Sequence, residues 1–400
     1  MKNPPLGLYI HVPFCRSKCA YCDFYSLAGA ENRMDEYMRA VSAHLTEVAP
    51  RAASHTVDSV YFGGGTPTML GTKNLVSLLS LIKKKYPLSS DAEITIEANP
   101  DSARDWKAMR ALRRAGFNRV SLGMQSADDA ELKRIGRVHT NAQTAEAVAA
   151  IRKAKIKNLS LDLIYGLPEQ SMESWQKTLA AAVELAPEHI SCYGLKIEEG
   201  TPLFKMKSSL TIPDDDKQAD MYFYAVDYLA RTGYAQYEIS NFARDGFLSR
   251  HNMKYWTLGE YAGFGPGAHS DFGSVRYAYV RDLSKYVDGV LRGADMLSES
   301  ETIPSLVRDT EYLMLRLRTA KGVNAKEFEN AYREHFDSLE TLFEKYAAGG
   351  FSERNADGSW RLTPKGFFVS NTIIIDVLDT LAKDKEARQA KAARGDFTVL

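Results

Sequence analysis

Six short apolar segments alternate with helical stretches over the first half of this 400-residue chain, and no other feature restricts its fold as strongly. The segments are 8–11, 57–62, 93–98, 119–124, 158–165 and 189–197. All are rich in Val, Ile, Leu, Tyr or Phe, and most end in Gly, Pro or Asn. Helical patterns between them cover 34–48, 73–85, 104–115, 129–135 with 142–154, and 172–186. Asp35, Thr72, Asn141 and Ser171 are placed to cap helix N-termini, and Gly116 to close a helix. Six βα units in a row require a parallel sheet with helices outside it. A doubly wound sheet and a full or partial barrel both satisfy that pattern. In either, the carboxyl ends of the strands form the active face. Residues 63–66, Glu97, Gln125 and 166–168 therefore converge although they are scattered in sequence.

The character changes after residue 197. A helix opens at 213–216 and runs to about Arg231, and 237–269 is dense in Gly, Tyr, Phe, Trp and His. Helical patterns return at 309–317, 325–332 and 339–348. A hairpin signal follows, Phe351…Asp357-Gly358…Trp360-Arg361-Leu362, and then an apolar helix at 373–381. The charged, Ala-rich stretch 383–394 reads as a solvated helix or a frayed end.

The chain has four cysteines, and three lie within eight residues, as Cys15-Arg-Ser-Lys-Cys19-Ala-Tyr-Cys22. A disulfide scaffold does not look like this, whereas a metal or cluster site does. Iron–sulfur cubanes are usually held by four thiolates. Three local thiols leave one iron open, and S-adenosylmethionine (SAM) can chelate such an iron through its amino and carboxylate groups. One electron then cleaves a carbon–sulfur bond to give a 5′-deoxyadenosyl radical; the cofactor carries that chemistry and the protein orients it. The alternative is a structural zinc site of three cysteines with His11. Against it, all three thiols hang off the first strand of a large βα array rather than closing a small module. Gly63-Gly64-Gly65-Thr66-Pro67 after the second strand suits a grip on a polar ligand, or a tight turn. Cys192, alone in an apolar run, reads as a buried strand thiol. Taken singly, Glu97 could cap a helix and Arg137 could sit in a surface ion pair. Asp162, between Leu161 and Leu163 in a core strand, needs a partner or a ligand.

These motifs together resemble the radical SAM superfamily. More narrowly, they resemble the group containing oxygen-independent coproporphyrinogen III oxidase and the HemW-type haem chaperones. The matching residues are Tyr9-Ile-His-Val-Pro-Phe-Cys15, Gly63 to Pro67, Glu97-Ala-Asn-Pro100, Gly123-Met-Gln125-Ser126, Arg137 and Asp162-Leu-Ile-Tyr-Gly166-Leu-Pro168. The resemblance runs from Tyr9 to about His269 and more weakly beyond. It implies an α/β fold: a partial (β/α)6 barrel over 1–235, a connecting region over 236–299, and a small α+β, winged-helix-like domain over 300–400. It also implies that Cys15, Cys19 and Cys22 hold a 4Fe-4S cluster. Tyr9 and Tyr21 match positions beside SAM and the cluster. Gly64, Gly65 and Thr66 match the loop that binds the SAM amino group. Glu97, Gln125, Arg137 and Asp162 match polar contacts to SAM.

Within that group the oxidase branch carries a further cysteine two positions after the third; here the residue is Phe24. Cys22-Asp23-Phe24 has the look of the HemW-type branch. His251-Asn252-Met253-Lys254-Tyr255-Trp256 matches that branch's H-N-x-x-Y-W pattern, associated with haem. His251, Tyr255 and Trp256 are thus candidate haem contacts, with His269 a second candidate ligand near the site mouth. Read without the family, the same segment is a buried aromatic knot. Three functions follow in order: a haem chaperone, a porphyrinogen-oxidising radical SAM enzyme, and a zinc-stabilised binding module. The first implies haem as cargo, a haem-accepting partner such as a respiratory protein, and an electron donor for the cluster. Lys+Arg and Asp+Glu are both 51, so no global field argues for nucleic acid. No apolar run reaches the roughly 18–20 residues of a membrane span, and the N-terminus lacks signal-peptide features. The expectation is a cytoplasmic protein, with peripheral membrane contact left open.

Overall fold

The computed structural model describes residues 3–394. All six expected strands form: β1 (Pro5–Val12), β2 (Thr56–Gly64), β3 (Leu88–Ala98), β4 (Arg119–Gln125), β5 (Asn158–Tyr165) and β6 (His189–Gly194). Each pairs in parallel with the next in sequence, as in Leu8↔Val60, Val60↔Ile94, Ile96↔Val120, Val120↔Leu159 and Leu161↔Ile190. A doubly wound sheet would reverse strand order at a switch point. Here the order does not reverse, so the choice falls on the barrel. Among the described strands β6 does not pair with β1, which makes the barrel partial.

Period-two alternation sorts the strand residues. Leu6, Leu8, Ile10, Val60, Phe62, Ile96, Val120, Leu122, Leu159, Leu161 and Ile190 are fully buried and belong to one apolar core with the helices. Those helices are α1 (Met34–Val48), α2 (Gly71–Lys85), α3 (Trp106–Ala115), α4 (Asp129–Arg134), α5 (Asn141–Lys153) and α6 (Met172–Glu184). Each core leucine or isoleucine contributes roughly 1.5–3 kcal/mol by burial. The alternate residues are polar: Tyr9 and His11, Ser59 and Tyr61, Thr95 and Glu97, Arg119 and Ser121, Ser160 and Asp162, His189 and Ser191. Several of them hydrogen-bond to one another inside the barrel, as Tyr9 does with His11, Tyr61 with Glu97, and Ser121, Ser160 and Ser191 with Asp162.

Several boundaries differ from the sequence expectation. Asp35 and Thr72 lie inside the first turns of α1 and α2, which have no side-chain cap. A 3-10 turn runs straight into each helix and supplies the preceding carbonyls instead. Asn141 is the first residue of α5. Its neighbour Thr140 is the cap, accepting from Gln143 N at 3.3 Å while the Gln143 side chain accepts from Thr140 N at 3.2 Å. Ser171 caps α6, and Gly116, at φ 123°, closes α3. β6 stops at Gly194 rather than 197, because its parallel partner β5 ends opposite, at Tyr165.

Further elements are α7 (Pro202–Met206), α8 (Asp215–Arg231), β7 (Ala235–Gln236), β8 (Asn241–Ala243), α9 (Arg250–Trp256), β9 (Tyr261–Phe264), β10 (His269–Phe272), β11 (Val275–Tyr279), α10 (Leu283–Arg292) and β12 (Leu297–Thr302). β9 joins the open side of β1 in parallel, and β10 to β12 continue antiparallel. The whole sheet runs β12-β11-β10-β9-β1-β2-β3-β4-β5-β6-β8-β7.

The chain divides into two units. The first takes in the chain up to Ala235 together with Ser240–Lys254 and Gly259–Thr302. The second takes in Gln236–Ile239, Tyr255–Leu258 and the chain from Ile303. It contains α11 (Asp309–Arg316), α12 (Ala325–Tyr332), α13 (Asp337–Ala348), a hairpin of β13 (Ser352–Arg354) and β14 (Trp360–Leu362), α14 (Pro364–Phe368) and α15 (Ser370–Ala393). Phe336, Phe343 and Trp360 stack in its core at centroid spacings of 6.0 and 5.7 Å. The charged stretch from residue 383 continues α15 as a mostly exposed helix.

Candidate cluster and ligand site

The cysteine loop leaves the carboxyl end of β1 and is pinned on two sides. Ala20 N donates to Ile135 O at 2.9 Å, and Leu203 N donates to Ala20 O at 2.8 Å. Cys15, Cys19 and Cys22 are half-buried free thiols. Burial pushes the Cys15 and Cys22 thiols up, and the neighbouring thiols push the same way. The glycine loop after β2 is zipped to the same segment, with Gly65 N to Val12 O at 2.9 Å and Thr66 N to Phe14 O at 2.7 Å. Thr66 Oγ1 donates to Cys15 Sγ at 3.5 Å and accepts from Asn99 Nδ2 at 3.0 Å. Arg137 donates to Cys19 Sγ at 3.5 Å, to Asn99 Oδ1 at 2.7 Å and to Gly123 O at 2.6 Å. Its Nε is buried with no hydrogen-bond partner among the described residues. Arg137 is therefore no surface ion pair; it links the ends of β3 and β4 to the thiol loop.

His11 does not complete a zinc site. Its Nε2 faces Tyr25 O at 2.8 Å and so carries the proton, which leaves Nδ1 to accept from Tyr9 OH at 3.0 Å. Burial drops its pKa to about 4, so the ring is neutral with both nitrogens engaged. Among the described residues no three His, Cys, Asp or Glu side chains close on a single ion. A cubane instead takes each thiolate on a separate iron, and three sulfurs spread along one loop suit it.

Deeper in the barrel, Glu97 accepts from Tyr61 OH at 2.7 Å and Gly64 N at 3.1 Å. Burial, reinforced by the Asp162 charge, raises its pKa to about 7. Glu97 caps no helix; it ties the glycine loop to the barrel wall. Gly64 sits at φ 101°, where a Cβ would lie 2.5 Å from the His11 ring. Asp162 accepts from Ser121 at 3.0 Å, Ser191 at 2.9 Å and Ser160 at 3.2 Å. Burial pushes its carboxyl up, while these hydroxyls and the Arg119 charge oppose the shift. Gln125 is 8% exposed with φ 64°, and Tyr21 is half-buried against Ile135, Ile164 and Leu167. The nine expected ligand contacts and three thiols thus belong to the carboxyl ends of β1 to β5 and the loops that follow them.

Sequence reasoning passed over Tyr61, Asn99 and the serines 121, 160 and 191. Their signal was available: each is a polar residue alternating with apolar ones on a core strand, or sits in the Glu97-Ala-Asn-Pro100 motif itself.

The haem candidates lie elsewhere. His251 is 1% exposed in the first turn of α9. Its Nδ1 is 3.0 Å from Ser59 Oγ, its ring stacks on Tyr61 at 5.2 Å, and its N–H donates to Glu93 Oε1 at 3.1 Å. Lys254, one turn on, pairs with Asp58 at 2.8 Å. Ser59 lies in the amino-terminal half of β2 and pairs in register with Glu93 of β3, both buried, so this turn plugs the end of the barrel away from the thiols. Tyr255 and Trp256 are half-buried in the last turn of α9. His269 is exposed at the start of β10, 3.5 Å from Glu299.

A model of the radical SAM superfamily matches residues 9–182. The chain is 34% identical over 379 residues to a heme chaperone HemW of Haemophilus influenzae, covering 93% of this chain and 98% of the relative. It is also 34% identical to HemW of Escherichia coli K12, covering 94% and 98%. Among solved structures, the coproporphyrinogen III oxidase HemN of Escherichia coli, described as a radical SAM enzyme, superposes with a TM-score of 0.81 at 22% identity, covering 94% of this chain and 90% of that one. That likeness concerns the fold.

Proposed function

The chain belongs to the HemW family within the radical SAM superfamily, and on that footing we propose that it is a haem chaperone that carries haem to an acceptor haem protein. The carrying observation is the end-to-end match: relatives named for that role align over nearly their whole length, beyond the barrel. Phe24 supports it. It stands 63% exposed where the oxidase branch has its further cysteine. The acceptor in this reading is a respiratory haem protein, a separate donor reduces the cluster, and the protein works in the cytoplasm. No helix among the described residues is long and apolar enough to cross a membrane.

Membership of the superfamily implies a 4Fe-4S cluster and SAM, and the residues fit both. Three half-buried thiols share one loop, Thr66 and Arg137 donate to two of the sulfurs, and Arg137 keeps a buried, unpartnered N–H. Together, cluster and SAM supply one-electron bond-cleaving chemistry; the chain holds and orients them. Cys15, Cys19 and Cys22 hold the cluster in this reading. Tyr9, Tyr21, Gly64, Gly65, Thr66, Glu97, Gln125, Arg137 and Asp162 form the SAM site, while His251, Tyr255, Trp256 and His269 are the candidate haem contacts.

Glu97 makes SAM binding pH-dependent. A carboxyl whose folded pKa is raised stabilises the ligand-free fold at low pH and loses that contribution as pH rises through about 7. A ligand carrying a sulfonium and an ammonium favours the ionised form. SAM affinity should therefore rise up to about tenfold per pH unit below about 7 and level off above it. Glu97→Gln should flatten that profile in anaerobic calorimetry. Equal wild-type affinity on both sides of neutrality would remove Glu97 from the site.

The function itself is tested on one anaerobically reconstituted preparation. Haemin titration should saturate at about one haem per chain, and incubation with SAM, reductant and coproporphyrinogen III should release no carbon dioxide. Robust protoporphyrinogen formation would reject a chaperone-only role, and a colourless zinc protein would reject both radical SAM readings. His251→Ala in the same titration settles the axial ligand: an unchanged haem spectrum excludes His251.

A further inference from the structure

A cavity of about 1070 Å³ opens at the amino ends of the barrel strands. Its wall includes Asn118, just before β4, and Asn158, the first residue of β5. It therefore lies at the opposite end of the barrel from the cysteine loop. Its size is at the upper limit of small-molecule sites, roughly 300–1,000 Å³.

Besides Arg250, four cations line it: Arg113, Lys155, Lys157 and Arg244. All are exposed, and none is in an ion pair among the described residues. The Arg244 guanidinium is held in place, 3.3 Å from both Pro187 O and Tyr234 OH, and lies over the Tyr234 ring at 4.7 Å. Two of the wall's carboxylates are already used. Asp91 pairs with Arg250 at 3.2 Å, and Glu93 accepts the N–H groups of Arg250 and His251 at 3.1 Å. The same wall carries apolar surface, with Phe247 half-buried and Leu248 43% exposed. Unpaired cations beside an apolar shelf complement a large, flat, amphipathic dianion.

We propose that this cavity holds the haem, with the propionate carboxylates taken by Lys155, Lys157, Arg244 and Arg113, so that cargo and cluster occupy opposite ends of the barrel. The proposal rests on the haem-chaperone reading and gives that reading a location. It also brings two separate observations together. Glu93 forms part of the cavity wall and accepts the His251 backbone N–H, so His251 sits directly behind that wall.

The test is haemin titration of the reconstituted full chain, followed by absorbance. The double variant Lys155→Glu/Lys157→Glu and the single variant Arg244→Glu should each weaken the haemin Kd about tenfold or more. Both should also lose the preference for protoporphyrin IX over its dimethyl ester that the wild type shows. These side chains are exposed, so iron content and SAM binding on the same samples should match wild type and serve as the folding check. Lys196→Glu, at the cluster end beyond β6, should leave haemin binding unchanged. Wild-type haemin affinity in both cavity variants, or a larger loss in Lys196→Glu, would overturn the cavity while leaving the chaperone reading intact. No haemin binding by the wild type would overturn both.

Discussion

Cys19→Ala will purify without a cluster after anaerobic reconstitution: iron falls from about four per chain to below one, and the visible charge-transfer absorption disappears. The two remaining thiols cannot hold a cube that already lacks a fourth protein ligand. Neither His11 nor Cys192 can substitute. His11 is committed through both nitrogens to Tyr9 and Tyr25, and Cys192 is buried in β6, where burial pushes its thiol up. The loss also reaches beyond the metal. Cys19 Sγ accepts from Arg137, which otherwise bonds Asn99 and Gly123 O, so the ends of β3 and β4 lose their tie to the loop. SAM binding should fall with the iron. Cys192→Ala is the control: it removes a small core side chain, costs about 1–2 kcal/mol of stability, and keeps all its iron. Full iron retention in Cys19→Ala would contradict the three-thiol site.

How much of this site can be read from sequence depends on whether its logic is local. The six strands are legible because each alternates apolar and polar residues with the period of the pleat, and the polar half of that pattern forms the barrel interior. Ser171 is legible as a cap because nothing precedes α6 that could replace it. Asp35 and Thr72 mislead because the preceding 3-10 turns, Glu31–Arg33 and Pro67–Leu70, deliver the chain already helical. The cysteine spacing survives intact because three ligands to one cluster must be near in sequence when they share a loop. The H-N-x-x-Y-W segment is different. It can be seen as a motif, but its location follows from Glu93 and Ser59, more than 150 residues earlier in the chain. Likewise Arg137 resembles a surface cation until Asn99 and Gly123 close around it. Long-range pairing of this kind leaves no periodic trace.

Gly65→Ala should be nearly as damaging as loss of a ligand, although it adds one methyl group. A Cβ at Gly65 would lie 2.7 Å from Phe14 O, 2.8 Å from Val12 O and 3.0 Å from Phe14 N. These are backbone atoms and cannot rotate away. The same oxygens accept the Gly65 and Thr66 N–H groups, so relieving the clash breaks both hydrogen bonds that zip the glycine loop to the cysteine segment. At about 1–1.5 kcal/mol each, their loss costs roughly 2–3 kcal/mol of stability. The functional cost is larger because Thr66 moves with the loop. Its hydroxyl then leaves Cys15 Sγ and Asn99, and through Asn99 the disturbance reaches Arg137 and Cys19. The variant should retain its helical circular dichroism, bind SAM at least about a hundredfold more weakly, a loss of about 2.7 kcal/mol, and reconstitute to partial iron content. Gly29→Ala is the matched control. Its φ of 68° carries the usual backbone penalty of about 1 kcal/mol, but its Cβ would meet nothing within 4 Å, so iron and SAM binding should be unaffected. If Gly65→Ala and Gly29→Ala prove equally benign, the close approach of the two loops is not what shapes the cluster site.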